Sequence, residues 1–515
     1  FESKLPASAY GIRKYLASGL IHGIGKTYAN KIVDKFGADT LNVISEDSGR
    51  LREVGGIGKK RIKNIREAWQ EQKAVREVMM FLQTYGVTDA LCLRLVRKYG
   101  NAAKTVLETD PYRIIREVKG IGFKTADKIA LNLGLSNNGP KRIEAGILHT
   151  VQEAEDQGHN HMERRELVIQ SANLLESDSN EIDNRIESLI ESADLVISKA
   201  DWLQLPSTAR AEITLARSLI NLNQTRSSLP PIQTEKAIAW AQDKAGFGFA
   251  DAQSDGIREA LLAKVSILTG GPGTGKTTIL RALVSILRAK KAKVLLAAPT
   301  GRAARRMAES CSYFAQTVHR LLKFDPSQGG FTVNEQNPLI CDFIIMDEAS
   351  MLDLRLAAAL VRSIPPQSHL LLVGDADQLP SVGSGNVLKD LIVSKLFKVT
   401  RLAVTFRQAE DSGIVGLAHG ILEGKTSPPL PLDHPSGLNP QHDVHFIRAN
   451  SPEECVSHIT LLLKEILPKK FSIDPNNNVQ VLAPLHRGIA GIGNLNDQIR
   501  DSINPHGATH SMGFN

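Results

Sequence analysis

From Lys236 onward, short apolar runs alternate with amphipathic stretches. Val265–Thr269, Val294–Ala298, Phe343–Met346, Leu370–Val373 and Val479–Leu482 are bounded by turn-forming residues, and each predicts a buried strand. Helix-like stretches such as Thr277–Ala289 and Leu354–Ser363 lie between them. That alternation is the pattern of a parallel sheet covered by helices. Between two of the runs, Phe324–Leu339 holds Gly329-Gly330 followed by alternating Phe331-Thr332-Val333, which predicts a hairpin.

The front of the chain has a different rhythm. Gly23-Ile24-Gly25, Gly56-Ile57-Gly58 and Gly120-Ile121-Gly122 each separate two helix-like runs. Tyr85-Gly86-Val87 keeps the phase, so glycines fall at 23, 56, 86 and 120, a period near 30 that marks stacked supersecondary units. Each unit reads as helix, glycine turn, helix: Leu51–Val54, Gly55–Gly58, then Lys59–Gln70. The second helix of a unit starts with free amides and the positive end of its dipole, which suits a phosphate. Lys26, Lys59, Lys60, Arg61 and Lys124 stand at or just after these turns. The alternative is an array of packed hairpins with glycine caps. Tyr85–Asp89 lacks the second glycine and the lysine and reads as a structural repeat. Behind these units, Arg142–Asp156, Glu163–Leu175 and Glu181–Ser192 have helical periodicity, and Leu195–Leu205 alternates as a small hairpin. This is a winged-helix-like pattern, closed by the breaker Ser227-Ser228-Leu229-Pro230-Pro231.

Charge sharpens the picture. Residues 1–130 hold 24 Lys and Arg against 14 Asp and Glu, an excess of ten, while the chain as a whole carries only +7. A basic front half suits a polyanion. The four cysteines are scattered without a C-x-x-C pair, which argues against a zinc site or disulfide framework and fits a reducing cytoplasm. No apolar run is long enough for a membrane helix.

The candidate chemistry sits at strand ends. Gly270-Gly271-Pro272-Gly273-Thr274-Gly275-Lys276-Thr277 satisfies G-x-x-x-x-G-K-[ST] between a predicted strand and a predicted helix that continues with Thr278. Its amides would wrap phosphate oxygens, Lys276 would meet the β- and γ-phosphates, and the Thr277 hydroxyl would ligate Mg²⁺. Phe343–Met346 delivers Asp347, suited to hold Mg²⁺, and Glu348, suited to orient or deprotonate the attacking water. Leu370–Val373 delivers Gly374-Asp375-Ala376-Asp377-Gln378-Leu379-Pro380, whose Gln378 suits a γ-phosphate contact.

In this order, the phosphate loop, Asp347-Glu348-Ala349-Ser350 and Gly374–Pro380 resemble motifs I, II and III of superfamily 1 helicases. Ala297–Ala304 resembles motif Ia, Thr317–Leu322 the next DNA-contacting segment, Thr405-Phe406-Arg407-Gln408 motif IV, and Val481–Gly488 the segment after it. The glycine turns resemble helix-hairpin-helix motifs, which grip the duplex backbone without reading sequence. Together these features resemble the long RecD-like (RecD/TraA) helicases of superfamily 1B, the 5′→3′ branch. The RecD subunit of RecBCD shares the motor motifs without the repeats, so the stand-alone type is implied. The resemblance implies that Gln253 recognises adenine and that Arg407 is an arginine supplied across the ATP cleft. It implies that Pro299, Thr300 and His319 touch single-stranded DNA, and that the 324–340 hairpin acts as a strand-separating pin. DNA-binding residues in the repeats are then Gly23, Gly25, Lys26, Gly56, Gly58, Lys59, Lys60, Gly120, Gly122 and Lys124.

The expected architecture is multidomain: an all-α helix-hairpin-helix region over 1–140 and a winged-helix-like domain over 141–230. A first RecA-like P-loop motor domain follows over 231–395, then part of a second over 396–515. The expected activity is ATP- and Mg²⁺-dependent 5′→3′ unwinding in DNA repair or recombination by a cytoplasmic monomer. Its partners would be single-stranded and duplex DNA and a single-stranded-DNA-binding protein. A nucleotide-switched DNA clamp and the helicase part of a conjugative relaxase are the rival readings. The chain opens at Phe1 and ends at Asn515 without family motifs V and VI or the small amino-terminal barrel. It therefore reads as a fragment expected to hydrolyse ATP poorly alone.

Overall fold

A computed structural model describes residues 16, 24, 26–67, 87–199, 201–271, 273–327, 329–402, 412–425 and 429–503. The chain divides into two compact units. One comprises residues 1–214 with 353–355 and 382–385, and the other comprises the remainder.

The first unit is built on helical repeats. Helices Lys26–Phe36 and Thr40–Glu46, the 3₁₀ turn Ser48–Glu53 and a helix over 59–67 enclose Leu16, Ile24, Ile32, Ile44, Leu51, Ile57 and Ile65. Helices Asp89–Tyr99, Ala103–Thr109, Arg113–Glu117 and Phe123–Asn132 form the next repeats. Their core is continuous with the segment that follows. That segment runs helix Pro140–Asp156, strand Met162–Glu163, helices Arg164–Leu175 and Ser179–Glu191, then strands Val196–Ile197 and Trp202–Gln204. The three strands pair antiparallel with Trp202–Gln204 in the middle. Helix, strand, two helices and a hairpin is the order of a winged helix.

The second unit holds six parallel strands: β1 (Val265–Gly270), β2 (Val294–Ala298), β3 (Ala315–Thr317), β4 (Phe343–Met346), β5 (His369–Gly374) and β6 (Lys398–Leu402). Their order across the sheet is β6-β1-β5-β4-β2-β3. The central strands β4 and β5 are buried along their whole length, as both-sided helix cover demands. Helices α1 (Asp251–Leu262), α2 (Lys276–Ala289) and α3 (Gly301–Cys311) contribute to one core with the sheet.

Two expectations change here. The boundary placed at 395/396 is too early, because β6 pairs with β1 from Lys398↔Ser266 to Leu402↔Gly270 and belongs to the first sheet. Residues 479–482 form no strand. An apolar run becomes a strand only beside a partner edge. Here Leu482 is 83% exposed, and the nearby strands Pro431–Leu432 and Phe446–Ile447 pair with each other.

Candidate functional site

Parallel strands all point their carboxyl ends to one edge, so loops leaving β1, β4 and β5 gather there. The loop after β1 turns through Gly273 and Gly275, at φ +79° and +88°, and enters α2 at Lys276. Thr274 Oγ1 donates to the Gly271 carbonyl at 2.9 Å, and Lys276 Nζ donates to the same carbonyl at 2.8 Å and to that of Gly270. Thr277 is exposed at the mouth of this loop, next to Thr278. Pro272 lies outside the described residues.

At the end of β4, the Asp347 amide donates to the Ala297 carbonyl at 2.9 Å, which fixes the acid beside β2. Glu348 follows at φ +53°, a left-handed conformation uncommon for a non-glycine residue, and its amide donates to Asp347 Oδ1 at 2.9 Å. Burial lowers the pKa of Lys276, opposed by the charges of Asp375, Glu348 and Asp347. Burial raises that of Asp347, opposed by the Glu348 amide, Lys276 and Arg306. The lysine and three carboxylates therefore share one electrostatic neighbourhood.

β5 lies between β1 and β4 and delivers the third element. Asp375 is buried, its Oδ1 accepts from the Asp377 amide at 3.1 Å, and its carbonyl accepts from the Gln378 amide at 3.3 Å. This tight turn leaves Gln378 exposed. Sequence alone assigns Asp375 no role. Its place one residue beyond an apolar strand, like that of Asp347, was the available signal.

Gln253 is the third residue of α1, and only Ala263 and Lys264 separate α1 from β1, so the first turn of α1 lies at the same edge of the sheet. Gln253 is 5% exposed, and its Oε1 accepts from the Ala250 amide at 3.1 Å. The side-chain oxygen is thus engaged as a helix cap, and the amide NH₂ remains to donate. Arg407 lies outside the described residues.

Among the candidate DNA contacts, Pro299 and Thr300 follow β2, and Thr300 Oγ1 accepts from the Ala303 amide at 3.2 Å as the cap of α3. Exposed His319 stands over a hairpin made by Phe324–Asp325 and Gly330–Phe331, its ring 5.9 Å from Phe324 and 5.6 Å from Phe331.

In the repeats, Gly56 and Gly120 turn the chain at φ +91° and +81°. The Gly58 carbonyl caps the helix over 59–67 and the Gly122 carbonyl caps Phe123–Asn132, by the same pair of backbone bonds. Lys59, Lys60 and Lys124 are exposed, and Lys124 also pairs with Glu153 at 3.6 Å. Gly23, Gly25 and the Lys26 side chain lie outside the described residues, as does Gly86. The isoleucines of the turns were not singled out in the sequence, yet Ile24, Ile57 and Ile121 are all buried to 5% exposure or less.

Known families match along the chain in the same order. A "SAM-like Helix-hairpin-helix tandem" matches residues 15–71, an "ATP-dependent RecD2 DNA helicase HHH domain" residues 71–161, and an "AAA domain" residues 253–384. The chain is 30% identical over 512 residues to the ATP-dependent RecD2 DNA helicase of Deinococcus radiodurans, covering 97% of this chain and 68% of that relative. It is 29% identical over 375 residues to the RecBCD enzyme subunit RecD of Haemophilus influenzae, covering 57% of this chain and 56% of the subunit. With the RecD subunit of Mycobacterium tuberculosis the identity is 37% over 199 residues, 34% of each chain. The chain thus spans little more than half, or less, of these two RecD subunits. Among the described residues, no helix is long and apolar enough to cross a membrane.

Proposed function

Because this chain belongs to the RecD-like family of ATP-dependent superfamily 1 DNA helicases, we propose that it moves 5′→3′ along single-stranded DNA and opens duplex during repair or recombination. The observation that supports the reading is that β1, β5 and β4, adjacent and parallel in one sheet, bring Lys276, Asp375, Asp347 and Glu348 to the same edge.

In this reading the amides of Gly271 and of Gly273 to Thr278 cradle the phosphates, and Lys276 turns from its loop carbonyls to the β- and γ-oxygens. Thr277 and Asp347 offer hard oxygen donors, the set that suits Mg²⁺. Bound there, Mg²⁺ supplies charge that offsets the phosphate oxygens. Glu348 orients the attacking water and takes its proton. Gln378 meets the γ-phosphate, Gln253 donates to the adenine, and Arg407 reaches the phosphoryl group from the second motor domain. Pro299, Thr300 and His319 hold the single strand, the Phe324–Phe331 hairpin parts the duplex, and the glycine turns with Lys26, Lys59, Lys60 and Lys124 hold duplex backbone.

A nucleotide-switched clamp would need neither a water-activating Glu348 nor Arg407. Strand displacement on 5′-tailed and 3′-tailed duplexes by the full-length protein separates the readings. Unwinding of the 5′-tailed substrate alone is expected. Equal unwinding of both tails removes the polarity, and ATP-dependent binding without displacement favours the clamp.

A further inference from the structure

At the end of β1 the side chain of Thr269, 3% exposed, accepts a hydrogen bond from the Ala376 amide at 3.2 Å. Thr269 and Gly374 are the last residues paired between β1 and β5. Beyond them β5 leaves the ladder, and a strand carbonyl no longer serves the next inward amide. The partly buried Ala376 amide still needs an acceptor, and the buried hydroxyl at residue 269 takes over the carbonyl's task. The turn it holds is otherwise closed on itself through Asp375, which accepts from Asp377 and Gln378. On its other flank the turn is wedged, because a Cβ at Gly374 would lie 3.1 Å from the Ser350 nitrogen and 3.3 Å from that of Ala349.

We propose that Thr269 is a positioning residue for ATP hydrolysis: its hydroxyl locks the Asp375–Gln378 turn to the strand that carries the phosphate loop. Gln378 and Lys276 then hold one spacing when the γ-phosphate is met. The inference rests on the reading of Gln378 as the γ-phosphate contact. Valine keeps the shape of threonine but offers the Ala376 amide no acceptor, whereas serine keeps the acceptor.

The test is steady-state ATP hydrolysis by the full-length protein with saturating single-stranded DNA. Thr269→Val is expected to lower kcat about tenfold, the effect of losing roughly one hydrogen bond's worth of transition-state alignment, with KM for ATP changed less than about twofold. Thr269→Ser is expected to restore kcat. Because Thr269 acts through Gln378, the Thr269→Val/Gln378→Ala pair should be no slower than Gln378→Ala alone. A valine variant with wild-type kcat, a loss confined to KM, or fully multiplicative effects in the pair would overturn the proposal. If the valine variant does not fold, Thr269→Ala removes the same hydroxyl and is held to the same criteria. A Gln378→Ala variant as fast as wild type overturns both the γ-phosphate reading and this inference. A slow Gln378→Ala beside a normal Thr269→Val overturns the inference alone.

Discussion

Gly374 has no room for a side chain, since a Cβ there would lie 2.8 Å from Leu388 Cδ2 and hard against the two amides that follow Glu348. Gly374→Ala should therefore push β5 away from the Asp347–Glu348 turn and cost about 1–3 kcal/mol, read by chemical denaturation. A change near zero would mean that the two turns are not in tight contact. Gln253 illustrates how far a residue can be read from sequence. Its position near the phosphate loop was legible through resemblance. Its burial and its second task, capping α1 through Oε1, were not, because a cap is set by three-dimensional direction rather than residue type. Gln253→Glu keeps the capping oxygen and removes the NH₂ donor; it buries a carboxylate and so costs some stability, and in the folded protein the preference for ATP over GTP in KM should weaken. Unchanged preference would remove Gln253 from the adenine site.

At the scale of elements, each described G-I-G turn has two separable parts. The isoleucine anchors the turn in the core, with Ile57 at 5% exposure, while Lys59 and Lys60 point to solvent. Ile57→Ala is expected to destabilise its repeat by about 2–5 kcal/mol. Lys59→Ala with Lys60→Ala should leave stability intact, weaken duplex binding for every sequence and flatten the salt dependence by roughly one unit per lost phosphate contact. An unchanged salt slope would contradict backbone contact by these lysines. The central strands were legible because strands buried on both faces read as unbroken apolar runs. β2 and β4 match their expected bounds, and β1 and β5 match within a residue at each end. β6 was missed because Lys398-Val399-Thr400-Arg401-Leu402 is an edge strand with exposed charges. The run at 479–482 was misread for the opposite reason: its composition suits a strand, but pairing is decided by a neighbour that local sequence does not contain.

At the scale of the motor unit, a cluster under the sheet ties the incoming chain to the strands, on the edge opposite the phosphate loop. His369, at the start of β5, is 2% exposed and stacks on Phe343 at 5.6 Å. Its Nδ1 lies 2.9 Å from the Ala263 carbonyl and its Nε2 2.6 Å from Ser227 Oγ. Burial, aided by the nearby charge of Lys264, pushes its pKa down to about 4. The folded state therefore resists protonation more than the unfolded chain, whose histidine titrates near 6.5. This contribution is intact above about pH 6.5 and is lost as pH falls towards 4, up to about 3 kcal/mol. Unfolding measured between pH 7 and 4.5 should show that slope, and His369→Gln should flatten it. Equal slopes in the two proteins would assign the acid sensitivity elsewhere.

In the proposed mechanism the residues gathered at the ends of β1, β4 and β5 form one ATP site that powers the chain's action on DNA. The most direct measurement is DNA-stimulated ATP hydrolysis by full-length wild-type protein and by Lys276→Ala. Loss of nearly all turnover in the variant, with duplex binding by the repeats retained, is the expected result. A variant that hydrolyses ATP as fast as wild type would show that turnover does not depend on this phosphate loop.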